Sequence, residues 1–207
     1  MPADTVVLRD DDERYPSLTT HGWSVTARSW GARLELTDGH EQCWVAALDG
    51  LPPEDVCREL SAADVTAALA LDSATARDYP GGVATAHERL TAVRASPAAG
   101  RRGFGVLDAD QNLVAMTFVD VVDVVGAEAE VDFTVVARHR RGRGLATAVK
   151  AASLLALKRA GVTTVRTGGS DENSGILAAN QALGFQVDEH WPTLTAANGP
   201  ASVPSHP

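Results

Sequence analysis

The feature that most constrains the fold of this chain is a strand, a glycine-rich loop and a helix in direct succession. Residues 128–136 read EAEVDFTVV, in which acidic and apolar residues alternate as in a β-strand. The loop RHRRGRG follows at 138–144. A helix is then predicted over 144–160, because apolar residues recur there at the spacing of one helix face. This succession predicts an α/β architecture with helices packed on a sheet.

The loop itself has the chemistry of an anion site. The first amides of a helix have no partner inside the helix and, with the helix dipole, attract an anion. Gly142 and Gly144 carry no Cβ, so backbone N–H groups come close to such an anion, and Arg141 and Arg143 add forked donors. The loop is not a Walker loop, and it lacks the third glycine of the dinucleotide pattern. We therefore expect a phosphate or pyrophosphate site; the alternative is a solvent-exposed basic turn.

Local signals elsewhere predict a mixed arrangement of strands and helices. The turn sequences SWGA and TDGHE separate three short strands predicted before residue 50. Capping-box sequences at Ser61–Asp64 and Thr85–Glu88 predict two helix starts, the second helix running to about Ala95. The predicted strands lie at 23–30, 33–37, 42–48, 102–107, 112–122, 162–167 and 185–189, and a late helix at 173–183. The order predicts an α/β (α+β) fold with antiparallel strands first and a β-α-β unit late.

Composition bounds the organisation and the function class. The sequence LDGLPPED marks a boundary, so we expect an N-terminal β-rich extension at 1–50, a main domain at 51–191 and a C-terminal tail at 192–207. The net charge of −9 argues against general nucleic-acid binding. No apolar run reaches membrane-spanning length and the start is acidic, which predicts a cytoplasmic protein. Two cysteines are too few for a disulfide framework or a zinc site, and we expect no metal.

A second motif, NSGILAANQALGF, lies about 30 residues after the loop. Asn173 and Asn180 are seven residues apart and therefore share one face of the predicted helix. Taken with RRGRGLATAVK, this motif resembles the GNAT superfamily of N-acetyltransferases, which transfer an acetyl group from acetyl-CoA to an amine. Arg141 and Gly144, with Ala146, match the superfamily's pyrophosphate loop, Arg-x-x-Gly-x-Gly/Ala. The resemblance is strong over about 128–191, plausible from about 54, and absent over 1–50.

The resemblance implies a GNAT fold and a set of acetyl-CoA contacts. The backbone near Val135 and Val136 would pair with the pantetheine arm as an added strand does, and an N–H of the same strand would stabilise the oxyanion. Asn180 stands where the family commonly has a tyrosine that protonates the leaving thiolate. The amides expected to hold the pyrophosphate are those of Gly142, Arg143, Gly144, Leu145 and Ala146. The arginines expected near the phosphates are Arg138, Arg140, Arg141 and Arg143.

The catalytic candidates are the three acids of the strand at 128–136. An amine must lose a proton before it attacks, which requires a base, and the family commonly keeps a carboxylate on this strand. Glu130 and Asp132 are the candidates for the base, with Glu128 further out. Period two places all three acids on one face, where repulsion would raise the pKa of at least one of them. The alternative is a solvent-facing acidic strand face that attracts a cationic amine.

Some positions fit the family less directly. Lys150 matches a lysine that one subgroup carries in its long helix, whereas Gly168-Gly169 departs from it, because glycine stands where asparagine is usual. His139 is expected on the surface or at the phosphates rather than as a base. Candidates for the acceptor pocket are His190, Trp191 and Asp78, the last at the start of the segment DYPGG; the alternatives are a packing role for Trp191 and a plain turn at Asp78.

Three functions remain open at this stage. The first is N-acetylation of a small cationic amine such as a polyamine, an aminoglycoside or an amino sugar. The second is acetylation of a protein lysine or N-terminus, and the third is a non-catalytic acyl-CoA-binding domain. Acetyl-CoA is the expected co-substrate in the first two. We expect no nucleic-acid or membrane partner, and the exposed strand edges of the N-terminal region make a homodimer possible.

Overall fold

The computed structural model describes residues 4–78, 82–123 and 127–196, and this part of the chain contains one eight-stranded sheet. The strands are β1 (Thr5–Val7), β2 (Trp23–Glu35), β3 (Val56–Glu59), β4 (Arg101–Leu107), β5 (Leu113–Asp123), β6 (Glu128–Val136), β7 (Thr164–Ser170) and β8 (Gln186–Ala196). Their order is β1-β8-β2-β7-β6-β5-β4-β3. Every neighbouring pair is antiparallel except β6 and β7, which run parallel. The prediction of a mixed α/β sheet is confirmed.

Helices cover both faces of the sheet. They are α1 (Arg14–Thr20), α2 (Glu41–Asp49), α3 (Val65–Thr75), α4 (Ala92–Ala95), α5 (Leu145–Arg159) and α6 (Ser174–Ala182). Apolar residues of α2, α5 and α6 pack on one face with Val131 of β6, and those of α3 and α4 pack on the other with Phe133. The sheet is therefore buried on both sides at its centre. None of the described helices is long and apolar enough to cross a membrane.

The N-terminal region is built into this sheet. One strand, β2, replaces the two strands predicted at 23–30 and 33–37, and it lies between β8 and β7. The sequence SWGA is part of that strand and does not form a turn. Gly31 lies inside β2, where a Cβ would stand 2.7 Å from Oε2 of Glu189 on the neighbouring strand. This close approach explains a glycine within the strand. Residues 23–35 thus supply central sheet structure beside the strands of the predicted main domain.

The predicted strand at 42–48 is wrong, since Glu41–Asp49 forms α2. Trp44 is fully buried against α5, and its indole N–H donates to the carbonyl of Leu183 at 3.0 Å. Seven residues are too few for periodicity to separate a strand from a buried helix, and the tertiary contacts of Trp44 select the helix.

The first capping box is confirmed and the second is wrong. Ser61 and Asp64 cap a 3₁₀ turn that leads into α3. The segment after Thr85 is not helical; instead α4 begins at Ala92, with Thr91 as its N-cap. The carboxylate of Asp72 on α3 explains the difference, because it binds the His87 ring and the Leu90 amide and so ties this irregular segment to α3.

The last strand extends beyond its predicted end at residue 189. β8 continues to Ala196 and pairs with both β1 and β2, so the predicted tail begins inside a strand. Residues 197–207, the rest of that predicted tail, lie outside the described residues, as does Tyr79 of the DYPGG segment.

Candidate functional site

The site begins where the parallel strands β6 and β7 separate. Their pairing ends at Glu130 and Arg166, although β6 continues to Val136 and β7 to Ser170. Beyond Glu130, no described strand pairs with β6 on the β7 side. The backbone of the second half of β6 therefore faces an opening, where an extended ligand can bind as an added strand does.

A β-bulge lies at the same point of β6. Phe118 of β5 is opposite Phe133 and Val119 is opposite Val131, so Asp132 has no partner on β5. Val131 belongs to the core beneath α5, while Phe133 belongs to the core beneath α3. The bulge thus changes which side chains of β6 face each helix layer, directly after the strands separate.

The first cavity, here called the loop cavity, has a volume of about 540 Å³ and lies between the end of β6 and the start of α5. Gly142 and Gly144 have φ values of +74° and +77°, the left-handed region that favours glycine. Nothing lies within 4 Å of a Cβ built on either glycine, and no side chain caps α5. The amides at the helix start therefore border open space and fit an anion such as a pyrophosphate. Predicted contacts that line this cavity are Val135, Val136, Arg141, Gly142, Gly144, Leu145, Ala146 and Asn173.

The arginines of the loop have distinct partners. Asp78 binds Arg138 through one carboxylate oxygen and Arg141 through the other, the latter at 2.6 Å. These guanidinium groups hold the pKa of Asp78 below its usual value. Arg138 does not line the loop cavity. Asp78 itself lines the loop cavity, where its carboxylate is engaged by these two arginines.

The other two loop arginines differ in their burial and in their ion pairs. Arg140 forms an ion pair with Asp55 at 2.5 Å, and the Asp55 side chain is fully buried. Arg140 therefore anchors the loop to the body of the protein, and it also lines the loop cavity, where a phosphate contact stays a prediction. Arg143 is exposed, does not line the cavity and has no partner among the described residues. His139 is exposed on the 3₁₀ turn Arg138–Arg140.

The two asparagines of the late motif have separate positions. Asn173 is the N-cap of α6, where its side chain accepts a hydrogen bond from the Ile176 amide at 3.2 Å. Asn180 is 1% exposed and lines neither cavity; its side-chain amide has no hydrogen-bond partner among the described residues. The structure therefore brings Asn173, and not Asn180, to the cavity walls.

The second cavity, here called the sheet cavity, has a volume of about 630 Å³ and lies where β6 and β7 have separated. Strands β2, β6, β7 and β8 and the segment 84–88 supply its walls. Thr134, Asn173 and Ile176 line both cavities. A molecule in the loop cavity and a molecule in the sheet cavity can therefore meet at this shared wall.

The three candidate acids of β6 differ in their surroundings. Glu130 lines the sheet cavity and is exposed, and its carboxylate makes no hydrogen bond or ion pair with a described residue. Asp132 also lines it, but Arg94 and Arg101 bind its Oδ2 at 2.7 and 2.5 Å. Glu128 does not line it. The arginines at Asp132 were missed in the sequence, because they come from α4 and β4. They leave Glu130 as the carboxylate best placed to take a proton.

Two tryptophans form walls of the sheet cavity. Trp30 lies opposite Gly169, where a Cβ would stand 2.7 Å from Cζ2 of the indole. Gly169 is therefore glycine because the Trp30 ring occupies the place of its side chain. The indole N–H of Trp191 donates to Glu189 at 3.0 Å. Of the two candidates next to each other in β8, Trp191 lines this cavity, whereas His190 does not.

The sequence interpretation missed a histidine–aspartate pair beside the same cavity. His87 lines the cavity; its Nε2 lies 2.5 Å from Oδ1 of Asp72, and its ring packs on Phe133 with centroids 4.4 Å apart. Asp72 is 3% exposed and sits on a largely apolar helix. That charged residue in an apolar run was the available signal, because a buried carboxylate requires a partner.

Lys150 lies behind the sheet cavity. It is 1% exposed, and its Nζ donates to Oγ1 of Thr167 at 3.3 Å and lies 5.5 Å from the Phe185 ring centroid. Burial lowers the pKa of Lys150 to about 7. Thr167 lines the sheet cavity, so Lys150 supports that wall from inside the core.

Comparison with known proteins places this arrangement in a fold class. No family model matches the chain, and no curated protein matches it. Its structure resembles a tandem GNAT protein from the clavulanic acid biosynthesis pathway, with a TM-score of 0.65 and 24% identity over 95% of this chain and 64% of that one. It also resembles a GCN5-related N-acetyltransferase from Kribbella flavida (TM-score 0.61, 17% identity, 94% of this chain and 68% of that one). A third similar structure is the GCN5-related N-acetyltransferase from Sphaerobacter thermophilus (TM-score 0.63, 16% identity, 93% and 59%).

The chain therefore has the GNAT fold, as the resemblance in its two motifs implied. It spans 64% of the tandem protein and 59% of the Sphaerobacter protein. These likenesses establish the architecture. The two cavities carry the groups on which the chemistry depends.

Proposed function

We propose that the protein is an acetyl-CoA-dependent N-acetyltransferase that acts on a small cationic amine by direct attack in a ternary complex. The observation that carries the proposal is the pair of cavities that meet where β6 and β7 separate. One cavity has the uncapped start of α5 and a basic loop, and the other has an unpaired carboxylate. An acyl donor and an amine bound there would be brought together at Thr134, as proximity catalysis requires.

The loop cavity fits the donor. The amides at the start of α5 would hold the pyrophosphate, and the unpaired edge of β6 around Val135 would pair with the pantetheine amides. Acetyl-CoA supplies an activated thioester. Backbone N–H groups of β6 near Val135 and Val136 would donate to the oxygen on which charge develops.

The sheet cavity fits the acceptor. Glu130 would attract the ammonium form of the amine and then take its proton, directly or through one water molecule. Asp132 would act through charge alone, since two guanidinium groups hold it. Asn180 cannot serve as an acid, so the leaving thiolate would be released as such or take a proton from water.

The alternatives differ in what they require. A protein acetyltransferase requires a groove that admits a backbone, whereas the sheet cavity of about 630 Å³ is in the size range of small-molecule sites. A non-catalytic domain would bind acetyl-CoA but leave it intact. The cytoplasmic location and a possible homodimer stay predictions.

The test is release of free CoA thiol from acetyl-CoA in the presence of amines, followed by mass analysis of the product. We expect amine-dependent release by the wild type and a loss of about 100-fold or more in kcat/KM for Glu130→Gln. Glu54→Gln is the matched control, because Glu54 is an exposed carboxylate outside both cavities. Full activity in Glu130→Gln would exclude Glu130 as the base. Binding of acetyl-CoA without thiol release on any amine or peptide would favour the non-catalytic alternative.

A further inference from the structure

The charges, hydroxyl groups and rings around the sheet cavity narrow the class of acceptor. We propose that the acceptor is a primary amine with a single positive charge on a flat, uncharged and sparsely hydroxylated body. This inference rests on the proposed function and deepens it. Such a site would disfavour the polyamines, aminoglycosides and amino sugars that the sequence left open as acceptors.

All but one of the carboxylates that line the sheet cavity are paired with arginines. The acids that line the cavity are Glu88, Glu130, Asp132 and Glu189. Arg94 binds both Glu88, at 3.0 Å, and Asp132, at 2.7 Å, while Arg166 binds Glu189 at 2.9 Å. Glu130 is the lining carboxylate that has no partner among the described residues. One unpaired carboxylate matches one ammonium group, and a polycation would have to displace arginines from existing ion pairs.

Several hydroxyl groups that line the cavity make hydrogen bonds inside the protein. Ser29 donates to the carbonyl of Trp191 at 3.2 Å, and Thr134 bonds the Thr117 hydroxyl at 2.8 Å. Thr167 accepts from Lys150, and Ser170 accepts from the amide of Glu172 at 3.2 Å. Each of these hydroxyl groups already makes a bond inside the protein that fixes its orientation and leaves it only its remaining donor or acceptor positions. A sugar would have to match these remaining directions, and sugar hydroxyl groups that do not match would lose their water partners, which lowers affinity.

Aromatic side chains line part of the cavity. Trp191 is partly exposed and is held through its indole N–H, whereas Trp30 is 3% exposed and packs on the glycine of β7. The rings of His87 and Phe133, tilted against each other with centroids 4.4 Å apart, also line the cavity. Fixed aromatic surfaces bind flat apolar groups with little loss of side-chain entropy. The body of the acceptor is therefore expected to be aromatic or similarly flat.

The experiment compares kcat/KM for 2-phenylethylamine, spermidine, glucosamine, kanamycin and a lysine-containing peptide, each with saturating acetyl-CoA. We expect 2-phenylethylamine to exceed each of the others by about tenfold or more, a difference of about 1.4 kcal/mol in transition-state binding. Trp191→Leu should raise KM for 2-phenylethylamine severalfold while the acetyl-CoA Kd stays unchanged. Trp23→Leu, which changes a tryptophan outside both cavities, should leave both constants unchanged.

The outcomes separate the two proposals. Preference for spermidine, glucosamine, kanamycin or the peptide would overturn this inference and leave acetyl transfer intact. Equal rates on all the amines would also overturn it, because the cavity would then not select the acceptor. Thiol release from none of them, with acetyl-CoA bound, would overturn the proposed function as well.

Discussion

The loop cavity is formed mainly by backbone atoms, whereas the sheet cavity is formed mainly by side chains. The loop cavity consists largely of backbone: the amides at the start of α5, two glycines with positive φ and the unpaired edge of β6. The sheet cavity consists largely of side chains from β2, β6, β7, β8 and the segment 84–88, and several of them are oriented by partners elsewhere in the fold. A backbone site leaves a compact local motif in the sequence. A side-chain site leaves only scattered residues, and its specificity appears only after folding.

The strongest way to break the loop cavity is to remove its buried anchor. Asp55→Ala removes the close, fully buried partner of the Arg140 guanidinium and leaves only the more distant Asp108 carboxylate, at 3.9 Å. We expect the free energy of unfolding to fall by about 3–5 kcal/mol, because an uncompensated buried charge is costly. Urea denaturation measures it. Glu54→Ala changes the exposed neighbouring residue and should have no measurable effect; a similarly small effect of Asp55→Ala would mean that the ion pair does not anchor the loop.

A smaller change should affect the sheet cavity alone. In Gly169→Ala the added Cβ would stand 2.7 Å from the Trp30 ring and displace it. Overpacking of this kind costs about 1–3 kcal/mol of stability, and the shifted ring should raise KM for the amine while the acetyl-CoA Kd stays unchanged. Steady-state kinetics and calorimetry separate these effects. Gly39→Ala, where the nearest atom would be 3.8 Å away, is the control. An equal loss of acetyl-CoA affinity would show that the cavities are not independent.

A pH-dependent effect is expected at Lys150, which connects α5 to the wall of the sheet cavity. Its pKa is about 7 in the folded protein, against the ordinary lysine value of 10.5 in the unfolded chain. Between these values the unfolded chain binds a proton that the folded protein does not, so the free energy of unfolding should rise with pH across this window. Below about pH 7 this group adds no slope.

Lys150→Met should remove that rise and keep the packing on Phe185. We expect the variant's advantage in stability over the wild type to be largest near pH 6, since burying a charge is unfavourable, and to fall by up to about 1.4 kcal/mol per pH unit between pH 7 and pH 10. Thermal melts at several pH values measure it. Parallel pH profiles of the two proteins would contradict the assignment of a buried, weakly basic lysine.

The sequence predicted the regions where local signals decide the structure. The alternation in β6, the glycines before α5 and the asparagine cap of α6 are contiguous patterns with physical causes, and each appears in the structure. The misassigned segments are those that distant contacts decide. Trp44 is fully buried in α2, a tertiary contact that favours the helix there. Asp72 binds His87 and so ties the irregular segment after Thr85 to α3.

The same division holds within the candidate site. The acids of β6 were found by their spacing, but which of them is unpaired depends on Arg94 and Arg101, which come from other elements. The bulge at Asp132 and the place of Trp30 over Gly169 have no local sequence signal, because both arise from cross-strand neighbours.

The central claim is that the helix start at Gly144 holds the pyrophosphate of acetyl-CoA, and calorimetric titration of acetyl-CoA tests it most directly. Gly144→Glu places a carboxylate at the proposed anion site, while Gly161→Glu makes the same change at another positive-φ glycine with open space around it. We expect one-to-one binding by the wild type and Gly161→Glu, and a loss of about 100-fold or more in Gly144→Glu, or about 2.7 kcal/mol. Equal binding by both variants, or no binding by the folded wild type, would contradict the account.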